Sequence, residues 1–286
     1  DTLESRGLGD VYKRQAGGLI SVPKEDQFGD IDKSCNGLVE LPAEEKHGIL
    51  WVHPDPNGSF DLEAQLGELA AEFDSWGFEK YIFQGNTTFE HQMNWKLAID
   101  TFGETYHFNT LHRDTLAKDF HGNCQMYDRF ERNHRMMLCL KNIDNLRGQN
   151  AEECNVLHAC LPVYYIWPNV QLIMGLNGPT LVRVYPEHAN PNKSFSRISF
   201  FLAPEISTEL QSNRGSGESI EDIQARMRGF ADVIQKEDYA VAETSHFGAL
   251  SGAFDHVVFG RNEPALHHYH NTYRSVLNLP PLEAVS

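Results

Sequence analysis

Ser219–Phe247 reads SIEDIQARMRGFADVIQKEDYAVAETSHF. Ile223, Met227, Phe230 and Ile234 recur at steps of four, three and four, the spacing of one buried helical stripe. The next members of that stripe are Asp238 and then Ala242. A carboxylate in line with an apolar face points inward. Burying it unpaired is costly, so it must be paired, protonated or bound to a metal. Arg183 is one ordinary candidate partner.

Upstream of this helix lie five short β-rich runs, near Arg135–Leu140, Val163–Trp167, Val170–Met174, Leu181–Tyr185 and Phe195–Leu202, several of them divided by Gly, Pro or Asn. Earlier strand candidates are Gly37–Leu41, Ile49–His53, Lys80–Phe83 and Thr87–Gln92. Leu62, Leu66, Leu69 and Phe73 predict a helix capped by Ser59 or Asp61. SNRGSGES before the long helix reads as a loop, and a last helix is predicted over about Asn262–Leu277. Antiparallel strands with one long helix packed across them make an α+β fold. Such a sheet curls around its helix and leaves a cavity between them.

A second stretch, DTFGETYHFNTLHRD (Asp100–Asp114), gathers ligand-type side chains within a few turns. If it is helical, Asp100, Glu104 and His107 share one face. His112 lies five residues past His107, about 140° around a regular helix, so both imidazoles reach one point only if the helix ends or bulges between them. Together with the inward Asp238 they form a set of two His and one carboxylate. That is the ligand type of a mononuclear non-haem Fe(II) centre that activates oxygen. Zinc accepts the same ligands.

The chain has 286 residues, 41% hydrophobic and 22% charged, which is the composition of a folded globular protein. A net charge of −16 argues against nucleic acid and against an anionic membrane surface. No window approaches the ~20 apolar residues of a membrane helix, and the N-terminus carries no secretory signal. The five cysteines (Cys35, Cys124, Cys139, Cys154, Cys160) form no C-x-x-C and read as free thiols in a reducing cytoplasm. His267–His270, HHYH, reads as a solvated or partly stacked helix face. His121, His134, His158 and His246 read as surface or satisfied core, and Trp95 and Tyr106 as packing around the site.

NWKLAIDTFGETYHFNTLH (Asn94–His112) resembles the iron-site segment of the Rieske non-haem iron, ring-hydroxylating oxygenase large (alpha) subunit: N-W-K, an acid, F-x-E/D-x-Y-H and a second His after four more residues. YYIWPNVQLIM, QKEDYAVAETSHFGALSG and FGRNEPALHHYHNTYRSVL are similar to the family's Pro-Asn strand, its third-ligand helix with Glu237-Asp238, and its closing helix. The similarity runs from about Gly18 to Leu279.

The resemblance implies a helix-grip catalytic domain and iron ligands His107, His112 and Asp238. It makes Glu104 the acid that links the iron site to an incoming electron donor. Thr101 stands where the family usually has Asn. The implied cofactors are mononuclear Fe(2+), a Rieske [2Fe–2S] cluster, and NAD(P)H acting through a separate reductase or ferredoxin. The implied partners are O₂, a small organic substrate, most naturally aromatic, and further copies in a homotrimer, with or without a beta subunit.

No cysteine here begins the C-x-H or C-x-x-H motif a Rieske centre needs. The expected layout is therefore a fragment. Residues 1–15, which include GLGDVYKRQ, resemble translated adapter sequence and are set aside. Residues 16–58 are the C-terminal remnant of a Rieske domain, and 59–286 a helix-grip catalytic domain. Two other readings use the same residues: a helix-grip protein that holds a small apolar ligand without a metal, and a zinc hydrolase.

Overall fold

The structure is a computed structural model that describes residues 17–207 and 219–284. The adapter-like segment and most of SNRGSGES lie outside the described residues. The chain divides between Leu62 and Glu63 into two compact units.

In the first unit, β1 (Ala43–Lys46) and β2 (Ile49–Val52) form an antiparallel hairpin with Lys46 opposite Ile49. His47 and Gly48 turn it with φ of 54° and 68°, the pair of positive values that a two-residue type I′ turn requires. The strand expected at Gly37–Leu41 does not form, and pairing begins at Ala43 instead. Leu38, Val39, Leu50 and Val52 are exposed.

The helix expected around Leu62–Phe73 is two helices, α1 (Leu62–Leu66) and α2 (Leu69–Trp76), broken at Gly67 with φ of 56°. Leu66, Leu69 and Phe73 are fully buried. Phe73 meets Tyr164 and Phe78 edge-on, each with ring centroids 5.5 Å apart. Tyr164 donates its hydroxyl proton to Glu72 and accepts from Trp76 Nε1 at 2.9 Å. Glu72 also receives Arg135 at 2.6 Å, so every charged group in this small network has a partner.

Seven strands form the main sheet: β3 (Ile82–His91), β4 (Phe120–Phe130), β5 (Asn133–Leu140), β6 (Cys160–Ile166), β7 (Val170–Gly175), β8 (Gly178–Glu187) and β9 (Asn190–Leu202). Their order is β3-β9-β8-β7-β6-β5-β4, and every neighbouring pair is antiparallel. The two strand runs expected at Lys80–Gln92 are the single strand β3, irregular between Phe83 and Gly85. Strand β4 is an edge strand the sequence pattern missed. It contains Gly122 and Asn123, the latter at φ of 59°, and its pairing with β5 slips between Phe120 and Gln125. At the β7–β8 turn Gly178 has φ of 136°, and a Cβ there would run into the Phe201 carbonyl, so only glycine fits.

β4 to β9 follow one another as a meander, while β3 and β4 occupy opposite edges. The segment joining them must therefore traverse six strand spacings, about 29 Å. That segment is residues 92–119, and it carries His107 and His112. It includes α3 (Trp95–Asp100) and a 3-10 turn, Tyr106–Asn109.

The long helix forms as expected, but in three parts. α4 (Ile220–Val233) is capped by Ser219 and Asp222, each bonding the other's backbone N–H. A π turn covers Ile234–Tyr239, and α5 (Ala240–Leu250) continues it. Met227, Phe230, Ala231, Ile234 and Ala242 pack into one cluster with Val163, Ile173, Val182, Ile198 and Phe200 of the sheet. The last helix, α6 (Pro264–Val276), joins that cluster through Leu266, Tyr269 and Tyr273.

Of the two alternatives expected for the HHYH tract, the structure has the stacked one: His267 and His270 both lie against Phe259. His268 is buried, and its Nδ1 lies 3.3 Å from that of buried His134. His270 stacks on Phe259 at 4.8 Å and meets Asp100 at 2.8 Å. Burial holds His134 well below the usual imidazole range, and burial lowers His268 too.

Phe73→Ala is expected to cost about 3–5 kcal/mol in urea unfolding, because a fully buried aromatic is lost with both of its edge contacts. The two depressed histidines give a second expectation. An unfolded His takes up its proton near pH 6.5 and the folded pair only at lower pH, so the unfolded state binds more protons between those values. Their contribution is complete above about pH 6.5 and is lost as the pH falls toward the folded values. Unfolding midpoints measured from pH 7 to pH 4 should fall less steeply in His134→Gln than in the unmodified chain.

Candidate metal centre

Asn94 starts α3 by accepting the Lys96 backbone N–H at 3.0 Å. The helix stops at Asp100, so Glu104 and His107 do not continue its face. Asp100 leaves the group the sequence pattern gave it and pairs with His270. Thr101 bonds back to the Ala98 carbonyl at 3.0 Å, which ties its hydroxyl to the helix end.

Beyond that break the chain turns through Tyr106–Asn109, and His112 N–H bonds Phe108 O at 3.1 Å. The interruption is what lets two residues five apart face one point. His107 and His112 ring centroids lie 4.9 Å apart. From the other side, the π turn presents Asp238. Its wider i→i+5 turn places Glu237 and Asp238 in succession toward the two imidazoles, and such turns are frequent at functional sites.

Asp238 Oδ1 lies 3.3 Å from His107 Nε2 and 3.1 Å from His112 Nε2. One ligand atom from each of the three residues lies within 4.8 Å of the others. Arg183, the ordinary partner considered for Asp238, bonds Ser199 instead, at 2.9 Å. The far nitrogens are also held. His107 Nδ1 bonds Glu104, which also accepts the His107 backbone N–H at 3.1 Å. His112 Nδ1 lies 2.7 Å from Glu237 Oε2, which in turn accepts the Thr115 hydroxyl at 2.8 Å.

These bonds fix the tautomer. A carboxylate beside each Nδ1 keeps the proton there, which leaves both Nε2 lone pairs aimed at a carboxylate oxygen. Three acceptors then face one another, and only a cation or added protons can satisfy them. His107 Nε2 is buried and makes no well-formed hydrogen bond, its 3.3 Å approach to Asp238 being poorly aligned. The residues therefore fit a divalent metal.

The same electrostatics appear in the proton affinities. Burial opposes charge on His107, but Asp238 and Glu104 outweigh it and lift the imidazole to about 9. His112 is raised in the same way, burial again being outweighed by Asp238 and Glu237. Burial would raise Asp238, yet its two imidazole partners hold it below the usual carboxylate range. Without a metal, protons take the metal's place.

A cavity of about 310 Å³ opens beside the three residues. Phe102, Phe108, Leu138, Val163, Ile173 and Phe230 are among the apolar side chains of its wall. Trp95 packs edge-on against Tyr273 at 5.3 Å, whereas Tyr106 is 65% exposed and does not wall the site. Asp114 is on the surface beside Arg113. Sequence periodicity alone pointed to Asp238 but not to the roles of Glu237 or Thr115. The available signal was two adjacent acids where the helix had room for one inward position.

A family model described as the ring-hydroxylating alpha subunit, catalytic domain, matches residues 78–279. No curated protein matches the sequence. Among solved structures, the chain is similar to the quaternary ammonium Rieske monooxygenase CntA, with 16% identity over 93% of this chain and 68% of that one and a TM-score of 0.68. It is also similar to a naphthalene 1,2-dioxygenase variant bound to phenanthrene, with 15% identity over 94% of this chain and 72% of that one and a TM-score of 0.65. Dicamba monooxygenase bound to 3,6-dichlorosalicylic acid gives 12% identity, 93% and 77% coverage and a TM-score of 0.53. At these identities the likeness is one of fold. The chain spans 59% and 58% of the length of two further CntA structures, solved with an inhibitor and with L-carnitine.

Removing the carboxylate behind His112 should loosen the site without unfolding the chain. Glu237→Ala is expected to weaken metal binding about 10–100-fold in a competitive chelator titration, with an unchanged circular dichroism spectrum.

Proposed function

The chain belongs to the ring-hydroxylating alpha-subunit family, and from that membership and the geometry of the site we propose that it is an oxygenase fragment. Its metal would be a mononuclear Fe(II) held by His107, His112 and Asp238. Its reaction would be hydroxylation of a small organic substrate, most naturally an aromatic one. The observation that carries the reading is the convergence of three acceptor atoms, one of them buried without a partner, on the edge of an apolar cavity.

When bound, Fe(II) supplies oxygen activation, with electrons from a Rieske [2Fe–2S] centre fed by NAD(P)H through a separate reductase. The chain's own contribution is positional. Glu104 and Glu237 hold the imidazoles in the tautomer that exposes Nε2. Asp238 offers the one negative charge that faces the metal position. Phe102, Phe108 and Phe230 keep water from the substrate side and leave the substrate beside the metal rather than on it.

Glu104 has the further role of meeting the electron donor. It sits beside exposed Tyr106 and already holds one ligand histidine. Its proposed counterpart is a cluster-ligating histidine on a neighbouring copy in a homotrimer, with or without a beta subunit. A carboxylate that fixes both rings suits electron passage.

Residues 16–58 are proposed as the tail of the Rieske domain, residues 59–286 as a helix-grip catalytic domain, and the first fifteen residues as foreign sequence. A cytoplasmic setting accords with the five free cysteines. Among the described residues no helix is long and apolar enough to cross a membrane.

Two features disfavour the other readings. A metal-free binding protein would have to hold an extra proton on buried imidazoles to satisfy the three facing acceptors, an arrangement that a purely apolar ligand does not call for. A zinc hydrolase needs a base beside its bound water, and Glu104 is already engaged by His107.

His107→Ala and Asp238→Ala are each expected to lose iron, measured by plasma mass spectrometry on folded protein. Iron retained by both would overturn the ligand assignment. Glu104→Ala is expected to keep iron but to stop repeated turnover in a version that carries the donor domain. Normal steady-state oxygen consumption by that variant would remove Glu104 from the electron route.

A further inference from the structure

Three of the five cysteines lie side by side on strands β4, β5 and β6. Cys139 is directly opposite Cys160 in the β5–β6 ladder. One residue along, the Leu140 N–H bonds the Ala159 carbonyl at 2.8 Å. Pairs alternate in an antiparallel ladder, so Cys139 and Cys160 are of the non-hydrogen-bonded kind, with Cα atoms about 4.5 Å apart. A disulfide spans Cα separations of roughly 4.4–6.8 Å, a range that includes this pair. On the other side Gln125 faces Leu138, and Cys124 comes next along β4, abreast of Cys139 where the register slips. The Cys139 thiol is within hydrogen-bonding reach of both the Cys124 and the Cys160 thiols.

The three differ in access. Cys124 is exposed, whereas Cys139 and Cys160 are buried. Cys160 packs with Met137, Ile143 and Leu146. Burial, with Cys124 and Cys160 alongside, pushes Cys139 up to about 12, and burial raises Cys160. The thiolate is the reactive form, so neither buried thiol is the first to meet an oxidant. Leu138 and Leu161, the sequence neighbours of the buried pair, line the cavity. Successive strand residues face opposite ways, so the cysteines lie on the sheet face away from the His–His–Asp group, and their chemistry needs no metal. Cys35 bonds Asp32 and Cys154 bonds the Asn150 carbonyl, each within its own turn.

We propose that Cys124, Cys139 and Cys160 form an oxidisable relay, in which peroxide enters at Cys124 and the product is a buried Cys139–Cys160 disulfide. Hydrogen peroxide takes two electrons from the Cys124 sulfur, giving a sulfenic acid and one water. The Cys139 sulfur then displaces hydroxide, which leaves with the Cys139 proton as a second water, and the Cys124–Cys139 bond forms. Attack of the Cys160 sulfur on Cys139 breaks that bond, makes the Cys139–Cys160 bond and passes a proton to Cys124. Cys124 ends as a free thiol, and a thiol reductant reverses the sequence through it.

The test uses a chain with Cys35→Ser and Cys154→Ser, in which trypsin leaves the three remaining cysteines on separate peptides. Mild hydrogen peroxide on the folded protein should remove two of the three free thiols and yield a Cys139–Cys160 linked peptide pair, and dithiothreitol should restore all three. Cys124→Ser should slow that loss by at least about tenfold, because a thiol titrating near 12 is rarely a thiolate at neutral pH. Cys160→Ala should stop at a Cys124–Cys139 pair. In Cys139→Ala no intramolecular disulfide should form, and Cys124 should go on to sulfinic acid. Cys124→Ser alters an exposed residue, so the rate comparison decides even where a buried variant fails to fold. Three thiols left intact, sulfinic acid at Cys124 with Cys139 present, or a disulfide that forms equally fast in Cys124→Ser overturns the proposal. A Cys139–Cys160 preference that persists in urea overturns it as well, since chain spacing rather than the ladder then sets the pairing.

Discussion

Asp238 carries a negative charge in the wall of the core, 8% exposed, and the rest of the site follows from how that charge is tolerated. Among the described residues no arginine or lysine pairs with it. Two imidazoles face it instead, and each is held from behind by another carboxylate. Glu104, Glu237 and Asp238 thus bring three negative charges around two rings that are neutral at their ordinary range. That imbalance suits a divalent cation, and it also explains why protons bind firmly to the two rings. An isolated buried ion pair is weak evidence of anything beyond packing. Here the surplus of acceptors makes the difference.

The sheet's connectivity makes the convergence possible. Because β3 and β4 lie at opposite edges, the chain between them has to cross the sheet, and on that path His107 and His112 meet Asp238 of the long helix. A regular helix over Asp100–His112 would point His107 and His112 apart. The stop at Asp100 and the short 3-10 turn bring them together. The helix opposite answers with its own irregularity, the π turn at Ile234–Tyr239, so that neighbouring acids serve neighbouring rings. Both departures from regular structure occur where His107, His112 and Asp238 are. Elsewhere the same helix is regular, and its apolar stripe packs on the sheet as its spacing requires.

Much of this is legible in residue order because it depends on local periodicity. The stripe from Ile223 to Ala242 gives the helix and the inward Asp238, and the runs at β5 to β9 give the antiparallel sheet. Strand β4 was not legible: it is an edge strand interrupted by Gly122 and Asn123, and half of its residues meet solvent. Gly67 split one expected helix in two, and β3 bridged two expected strands through an irregularity. The HHYH tract was legible only in part: it is stacked, as one of the two expected alternatives had it, but not solvated. Its histidines find Asp100, His134 and Phe259, partners far away in the chain whose proximity no local pattern encodes.

The sequence by itself determined the kind of elements, the apolar face of the long helix and the presence of two His in one short stretch and one Asp on that apolar face. These follow from side-chain spacing along a backbone whose repeat is fixed by its own hydrogen bonds. Only the tertiary structure decided that Asp100 leaves the site while Glu237 enters it, that Arg183 turns to Ser199, and that Arg226 and Asp238 line one cavity. Those outcomes depend on distances between segments more than a hundred residues apart in several cases. Such distances are set by how the sheet and helix pack as solids, and no repeat in the chain records them.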